Sequence, residues 1–131
     1  MLWPRWKTAR ATSRAAKNPA DYVQEITKIA FRTESERLRI EVLTLLDGVG
    51  WPMASVILHF CANDRYPILD VRALWSLGID YPVRYDCAFW DSYTTTCRDL
   101  ADQSGSTMRI VDRALWQFAK VNQPRGGAGR H

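Results

Sequence analysis

Residues 45–58 read Leu-Leu-Asp-Gly-Val-Gly-Trp-Pro-Met-Ala-Ser-Val-Ile-Leu, which is the most informative stretch of the sequence. Gly48 and Gly50 flank one aliphatic residue, Val49, and helical patterns lie on both sides of the three. Because glycine adopts positive φ without steric cost, two glycines allow a tight hairpin between two helices. The amides at the hairpin and at the start of the second helix then point outward together. Such an arrangement favours an anion, for example a phosphate group.

The rest of the chain also has the spacing and the capping residues of helices. Asn18-Pro19 is interpreted as a cap followed by proline in the first helical turn, and Thr33-x-x-Glu36 as a capping box. Further helices are predicted to begin at Pro52, Asp70, Asp86 and Ser106 or Thr107, and Gly48, Gly78 and Gly105 to end three of the helices. No stretch alternates as a strand does. The sequence therefore predicts an all-α domain of about six helices that contains a helix-hairpin-helix.

Length and composition place the chain among globular proteins of one domain. It has 131 residues, of which 47% are apolar and 24% charged. No apolar run reaches the roughly 18 residues that a membrane span needs, and the first residues lack the apolar stretch of a secretory signal. The three cysteines and two histidines have no recognised metal-ligand spacing. We therefore expect a cytoplasmic protein without a membrane, metal site or cofactor.

The net charge of +4 is unevenly distributed along the chain. Residues 1–17 carry five basic and no acidic residues, and residues 125–131 carry two arginines. Residues 18–124, the body of the chain, contain the remaining 11 basic residues and all 14 acidic ones. The body therefore has a net charge of −3, and its charge alone does not indicate DNA binding. We predict a basic arm over residues 1–17, a helical domain over 18–123 and a disordered Gly/Arg tail over 124–131. The arm fits a solvated segment, a phosphate-binding segment or a transit peptide.

Two motifs at a fixed separation resemble the helix-hairpin-helix DNA glycosylases, the superfamily that includes endonuclease III and the adenine-mismatch glycosylase. The first motif is Gly48-Val49-Gly50 with its flanking helices. The second, residues 66–70 (Tyr-Pro-Ile-Leu-Asp), resembles the loop that leads to the catalytic aspartate of that family. Gly50 and Asp70 are 20 residues apart, which is the separation the family keeps. The resemblance covers about residues 36–78, and elsewhere the chain is similar only in being helical.

The resemblance implies DNA as the partner and base excision repair as the setting. Gly48, Val49, Gly50 and Trp51 would bind DNA, and Asp70 would stabilise the positive charge that develops on the sugar when an N-glycosidic bond is hydrolysed. Asp70 is equally explained as the N-cap of the following helix, and the two roles are compatible. Trp51 is expected either to stack on a base or sugar or to pack against the neighbouring helix.

The sequence also departs from the family. Members with lyase activity carry a lysine two residues after the second glycine, where this chain has Pro52, so we expect at most a monofunctional glycosylase. The iron–sulfur cysteines of some members are absent, and Val71-Arg72-Ala73 replaces the usual His-Val-x-Arg continuation. Because 47 residues precede Gly48, we expect a shorter first lobe than in the family. The alternative is a non-catalytic module that binds DNA structures or another protein.

Overall fold

The structure, a computed structural model, describes residues 17–62, 65–79 and 84–124. These residues form six α-helices and no strand, which confirms the predicted all-α class. The helices are α1 (Ala20–Arg32), α2 (Glu36–Leu43), α3 (Trp51–Cys61), α4 (Val71–Ser76), α5 (Cys87–Ser104) and α6 (Met108–Asn122). None of them is long and apolar enough to cross a membrane. The predicted arm, apart from Lys17, and the predicted tail, apart from Pro124, lie outside the described residues.

The chain divides into two compact units, residues 1–62 and 63–131. In the first unit α2 packs on both α1 and α3. The most deeply buried side chains of these helices are Ala30, Ile40, Leu43, Ala54 and Leu58. Arg39 joins α1 to α2, because its Nε donates to the Ala30 carbonyl at 2.9 Å while the guanidinium also bonds the Thr33 carbonyl. These contacts fix the helix that leads into the Gly-Val-Gly segment.

Two predicted helix starts in the first unit are wrong. Asn18 does not cap α1, since the N-cap is Pro19 and no side chain closes that end. Thr33 does not open a capping box, because its amide bonds the Ile29 carbonyl and so ends α1 instead. The N-cap of α2 is Ser35, whose hydroxyl accepts a hydrogen bond from the next turn. The Thr33 hydroxyl accepts a hydrogen bond from the Ser35 amide at 3.1 Å, and the cap of α2 is therefore left to Ser35.

In the second unit α6 packs on both α4 and α5. The predicted caps are confirmed: Asp70 and Asp86 accept hydrogen bonds from the first turns of α4 and α5, and Gly105 ends α5 with φ of 66°. Trp90 and its neighbour Tyr93 are buried in the core of the unit, at 1% and 2% exposure. The serine hydroxyl of Ser76 donates to a carbonyl of α6, which ties the short α4 to its neighbour.

Some large or sulfur-containing side chains of α3 and α6 are exposed. Trp116 and Phe118 on α6 are 40% and 53% exposed, and Cys61 at the end of α3 is exposed as well. Helix α6 buries the face that carries Met108 and Ala119, and at 100° per residue Trp116 and Phe118 fall on opposite edges of that face. Apolar residues at the edge of a stripe are only partly covered, which periodicity alone does not reveal.

Candidate functional site

The Gly-Val-Gly segment lies in a tight turn between α2 and α3. Helix α2 ends at Leu43, earlier than the predicted end, and the next residues continue with hydrogen bonds to the carbonyl three residues back. This tightening buries Leu46 and leaves Leu45 60% exposed. Gly48 has φ of 86°, a conformation that L side chains rarely adopt, so glycine is required there.

Gly50 differs from Gly48 in conformation. Its φ of −95° and ψ of −171° are extended values that any residue adopts. A Cβ at Gly50 would meet only the Pro52 Cδ, at 3.9 Å, which is an ordinary contact. The backbone therefore does not require glycine at this position, and the absence of a side chain here needs another explanation. One consequence is that the start of α3 is left open.

Helix α3 begins without a capping side chain. Gly50 is its N-cap and has no side chain to accept a hydrogen bond from the first turn. Helix α3 begins at Trp51, one residue before the predicted start, and Pro52 follows with no N–H to offer. Within the described residues the amides of Trp51 and Met53 find no acceptor, whereas the Ala54 amide bonds the Gly50 carbonyl at 2.9 Å. Such unpaired amides, together with the helix dipole, favour the binding of an anion at this end of α3.

The other hairpin residues are placed as the turn requires. Ala54 is fully buried, as expected if it allows α2 and α3 to approach closely. Val49 and Trp51 are both half-buried, and the Val49 amide bonds the Leu46 carbonyl at 3.1 Å. The half-buried indole of Trp51 is compatible with packing and with contact to a ligand.

Asn18 holds the residue before Gly48, a role that sequence reasoning missed. Its side-chain oxygen accepts from the Asp47 amide at 2.9 Å, and its side-chain nitrogen donates to the Asp47 carbonyl at 3.1 Å. Both backbone groups of Asp47 are thus fixed by one side chain. The partners are 29 residues apart, and no local pattern links them.

Asp70 lies in the second unit, at the N-terminus of α4. Its Oδ1 accepts from the Ala73 amide at 2.9 Å, and the residue is half-buried. The predicted DNA-binding residues Gly48, Val49, Gly50 and Trp51 lie in the first unit. The capping role is therefore shown, and the catalytic role of Asp70 stays a prediction.

Two buried side chains clamp the loop that leads to Asp70. Asp112, 8% exposed, accepts from the Ile68 amide at 3.0 Å, and the Tyr93 hydroxyl donates to the Ile68 carbonyl at 2.7 Å. Asp112 was not predicted, and its only sequence signal is an acid on the buried face of α6, among Met108, Val111 and Ala119. Both backbone groups of Ile68 are thus fixed two residues before Asp70.

The Tyr93 hydroxyl and the Cys97 thiol, which lie near this loop, are held in their neutral forms. Burial raises the pKa of the Tyr93 hydroxyl far above its usual value, and the neighbouring Cys97, Asp112 and Asp70 raise it further. Burial, followed by the charge of Asp112, raises the pKa of the Cys97 thiol to about 12. Neither group is suited to act as a nucleophile near neutral pH. Asp70, two residues after Ile68, is only half-buried.

Comparison with known proteins adds no further constraint. No protein family matches the chain, and no curated protein or solved structure is significantly similar to it. Within the described ranges, no three His, Cys, Asp or Glu side chains come together in a way that could hold a metal ion. The resemblance to the helix-hairpin-helix glycosylases over residues 36–78 stays a prediction based on the motif residues.

Proposed function

We propose that this chain binds DNA by holding a backbone phosphate at the hairpin between α2 and α3. The observation that carries the proposal is the open start of α3, whose first-turn amides lack a capping side chain behind the positive-φ turn at Gly48. Gly50 is exposed and sterically free to carry a side chain, yet it has none. A capping side chain at Gly50 would occupy the place of the phosphate.

The amides explain how an acidic body binds a polyanion. A helix N-terminus carries about half a positive charge, and its unpaired amides donate directly to phosphate oxygens. This interaction needs no lysine or arginine at the hairpin. Phosphate contacts fix the position and orientation of a protein on DNA but do not read sequence. The proposed binding is therefore independent of base sequence.

We further propose Asp70 as the carboxylate of a monofunctional base-excision reaction. Its loop is clamped at Ile68 by Asp112 and Tyr93, which gives the rigid positioning that a catalytic group requires. In such a reaction the target base leaves the stack, and the carboxylate stabilises the cationic sugar as the base departs. A water molecule then bonds to the sugar carbon and supplies the proton that the released base takes up. Pro52 has no amine, so no covalent lyase intermediate forms at the hairpin.

The alternative is a non-catalytic module that binds DNA structures or a protein. The observation that favours it is the hydrogen bond from the Ala73 amide to Asp70, because capping alone accounts for an aspartate at this position. DNA binding through the hairpin is common to the enzyme and to a DNA-structure binder. Base release distinguishes the enzyme from the module.

The hairpin proposal is tested by giving α3 the cap that it lacks. In Gly50→Asp the carboxylate reaches the Met53 amide, stabilises the helix by about 0.5 kcal/mol and repels a phosphate. We expect duplex DNA affinity, measured by fluorescence anisotropy, to fall at least about tenfold, or about 1.4 kcal/mol. Thermal unfolding should show an unchanged or raised midpoint.

Gly50→Ser is the matched control for charge. The serine hydroxyl caps the same amide without a negative charge, so affinity should fall less than in Gly50→Asp while stability is retained. Equal DNA affinity in wild type, Gly50→Ser and Gly50→Asp, with all three folded, would show that the start of α3 does not bind DNA.

A further inference from the structure

The basic residues of helix α6 lie on an exposed face, away from the face that is buried in the core. Arg109, Arg113, Trp116 and Lys120 follow one another at intervals of four, three and four residues, which places them on one face of the helix. All four are exposed. The only acidic residue of α6, Asp112, is buried and accepts a hydrogen bond from Ile68. These four residues together with Arg72 are called the α6 stripe.

Arg72 joins the stripe from α4. Its guanidinium carbon lies 5.2 Å from the centroid of the Trp116 ring, and the Lys120 ammonium lies at the same distance from that ring. The two helices are packed together, with the rings of Trp75 and Phe118 6.0 Å apart. Two cations from different helices therefore converge on one half-exposed indole. A cation over an indole is held by attraction to the ring and keeps its charge.

The stripe has cations that are not neutralised by nearby acids. Among the described residues no carboxylate pairs with Arg72, Arg113 or Lys120. The exposed acids of the same unit are concentrated on α5 instead, where Asp102 pairs with Arg65 at 2.6 Å. Arg72, Arg113 and Lys120 therefore create a positive potential along that surface, which attracts a polyanion.

We propose that the α6 stripe is a second nucleic-acid surface, which binds one unpaired strand. From Arg109 to Lys120 the stripe spans about 16 Å, the length of four to five nucleotides at about 3.4 Å each. A line of cations matches the linear charge of a strand better than the scattered carboxylates of a protein surface. An unpaired base can stack on the Trp116 ring when Arg72 or Lys120 leaves its face, and the displaced cation then contacts a phosphate.

The choice of DNA as the strand rests on the proposed function, whereas the stripe itself does not. Arg72 follows Asp70 by two residues, so the stripe begins beside the candidate catalytic carboxylate. An enzyme that flips a nucleotide out of a duplex must hold an unpaired segment next to its reacting group. The stripe would hold that segment in the second unit.

The test uses the full chain, with an oligothymidylate of twelve nucleotides as the probe. In the double variant Arg113→Gln/Lys120→Gln, affinity measured by anisotropy at 0.1 M salt should fall at least about threefold. The slope of log affinity against log salt should become shallower by about 0.7 for each cation removed. The matched control is Lys28→Gln/Arg32→Gln on α1, which makes the same change in net charge at exposed positions.

Trp116 provides an independent readout of stacking. Trp116→Leu should lower affinity for the oligothymidylate about fivefold or more, and Trp116→Phe should restore most of it, because phenylalanine keeps an aromatic ring. Loss of affinity in the α6 variants with an unchanged control supports the proposal. Equal losses in the α6 and α1 pairs would overturn it. Tight binding of polyglutamate with no effect of Trp116→Leu would also overturn it, in favour of an acidic protein partner.

Gly50→Asp in the same assay separates the two proposals. If the hairpin proposal fails and the stripe holds, Gly50→Asp leaves oligothymidylate and duplex affinity unchanged while the α6 variants lose single-strand affinity. If the stripe fails and the hairpin holds, Gly50→Asp alone weakens duplex binding. Circular dichroism spectra and unfolding midpoints confirm that each variant is folded.

Discussion

At the scale of the residue, Asp70 is the proposed catalytic carboxylate and also caps α4. Asparagine caps a helix about as well as aspartate, so Asp70→Asn keeps the hydrogen bond from the Ala73 amide and removes only the charge. We expect the free energy of unfolding of the variant to lie within about 0.5 kcal/mol of the wild-type value. It should release no base from a panel of duplexes with damaged or mismatched bases, on which wild type is active.

Glycosylase assays with both proteins therefore distinguish the enzyme from the module. Equal base release by wild type and Asp70→Asn would assign the reaction to another residue. Wild-type binding without release would favour the non-catalytic module.

The residue scale also shows what the sequence could predict and why. The caps formed by Asp70, Asp86 and Gly105 were predicted correctly because their partners lie within four residues of them. The contacts of Asn18 with Asp47 and of Asp112 with Ile68 span 29 and 44 residues. Such pairs depend on how helices pack, which a local pattern does not encode.

At the scale of the element, the turn between α2 and α3 depends on one strained position. Gly48→Ala forces alanine to φ of 86° and should destabilise the fold by about 1–2 kcal/mol. Gly105→Ala is the matched control, because Gly105 has φ of 66°, has open space around its Cβ position and lies in the other unit. We expect similar losses of stability in urea unfolding but a loss of duplex affinity only in Gly48→Ala.

A loss of affinity in both glycine variants would indicate that DNA binding follows general stability and not the hairpin. Retained affinity in Gly48→Ala, with the protein folded, would remove the turn from the binding surface.

The basic face of helix α6 is encoded in the local sequence, although the sequence analysis did not predict it. Arg109, Arg113, Trp116 and Lys120 have helical spacing that the sequence already contains. The net charge of −3 over residues 18–124 hides a helix whose exposed charges are all positive. The stripe is visible only when the charges are assigned to the faces of each helix, because the sum over a segment mixes its buried and exposed charges.

At the scale of the whole molecule, we expect the basic residues of the N-terminal segment to add to the attraction for DNA. Residues 1–17 carry five cations and no acid. A variant that lacks them should bind duplex DNA more weakly. The salt dependence should become shallower by at most about 0.9 for each cation that contacted a phosphate. Anisotropy titrations at several salt concentrations measure both quantities.

Unchanged affinity and salt slope in that variant would leave the basic segment without a role in DNA binding. An unchanged hairpin effect of Gly50→Asp in the shortened chain would show that the hairpin acts independently of the segment.

If backbone amides at the hairpin contact phosphate, the amide chemical shifts of the wild-type protein change when DNA binds. A ¹⁵N-labelled sample is titrated with a short duplex at low salt, followed by two-dimensional NMR. We predict the largest shifts at the amides of Gly48, Gly50, Trp51 and Met53, with the same midpoint as in anisotropy. Saturation of the duplex with no change at these four amides would contradict the account.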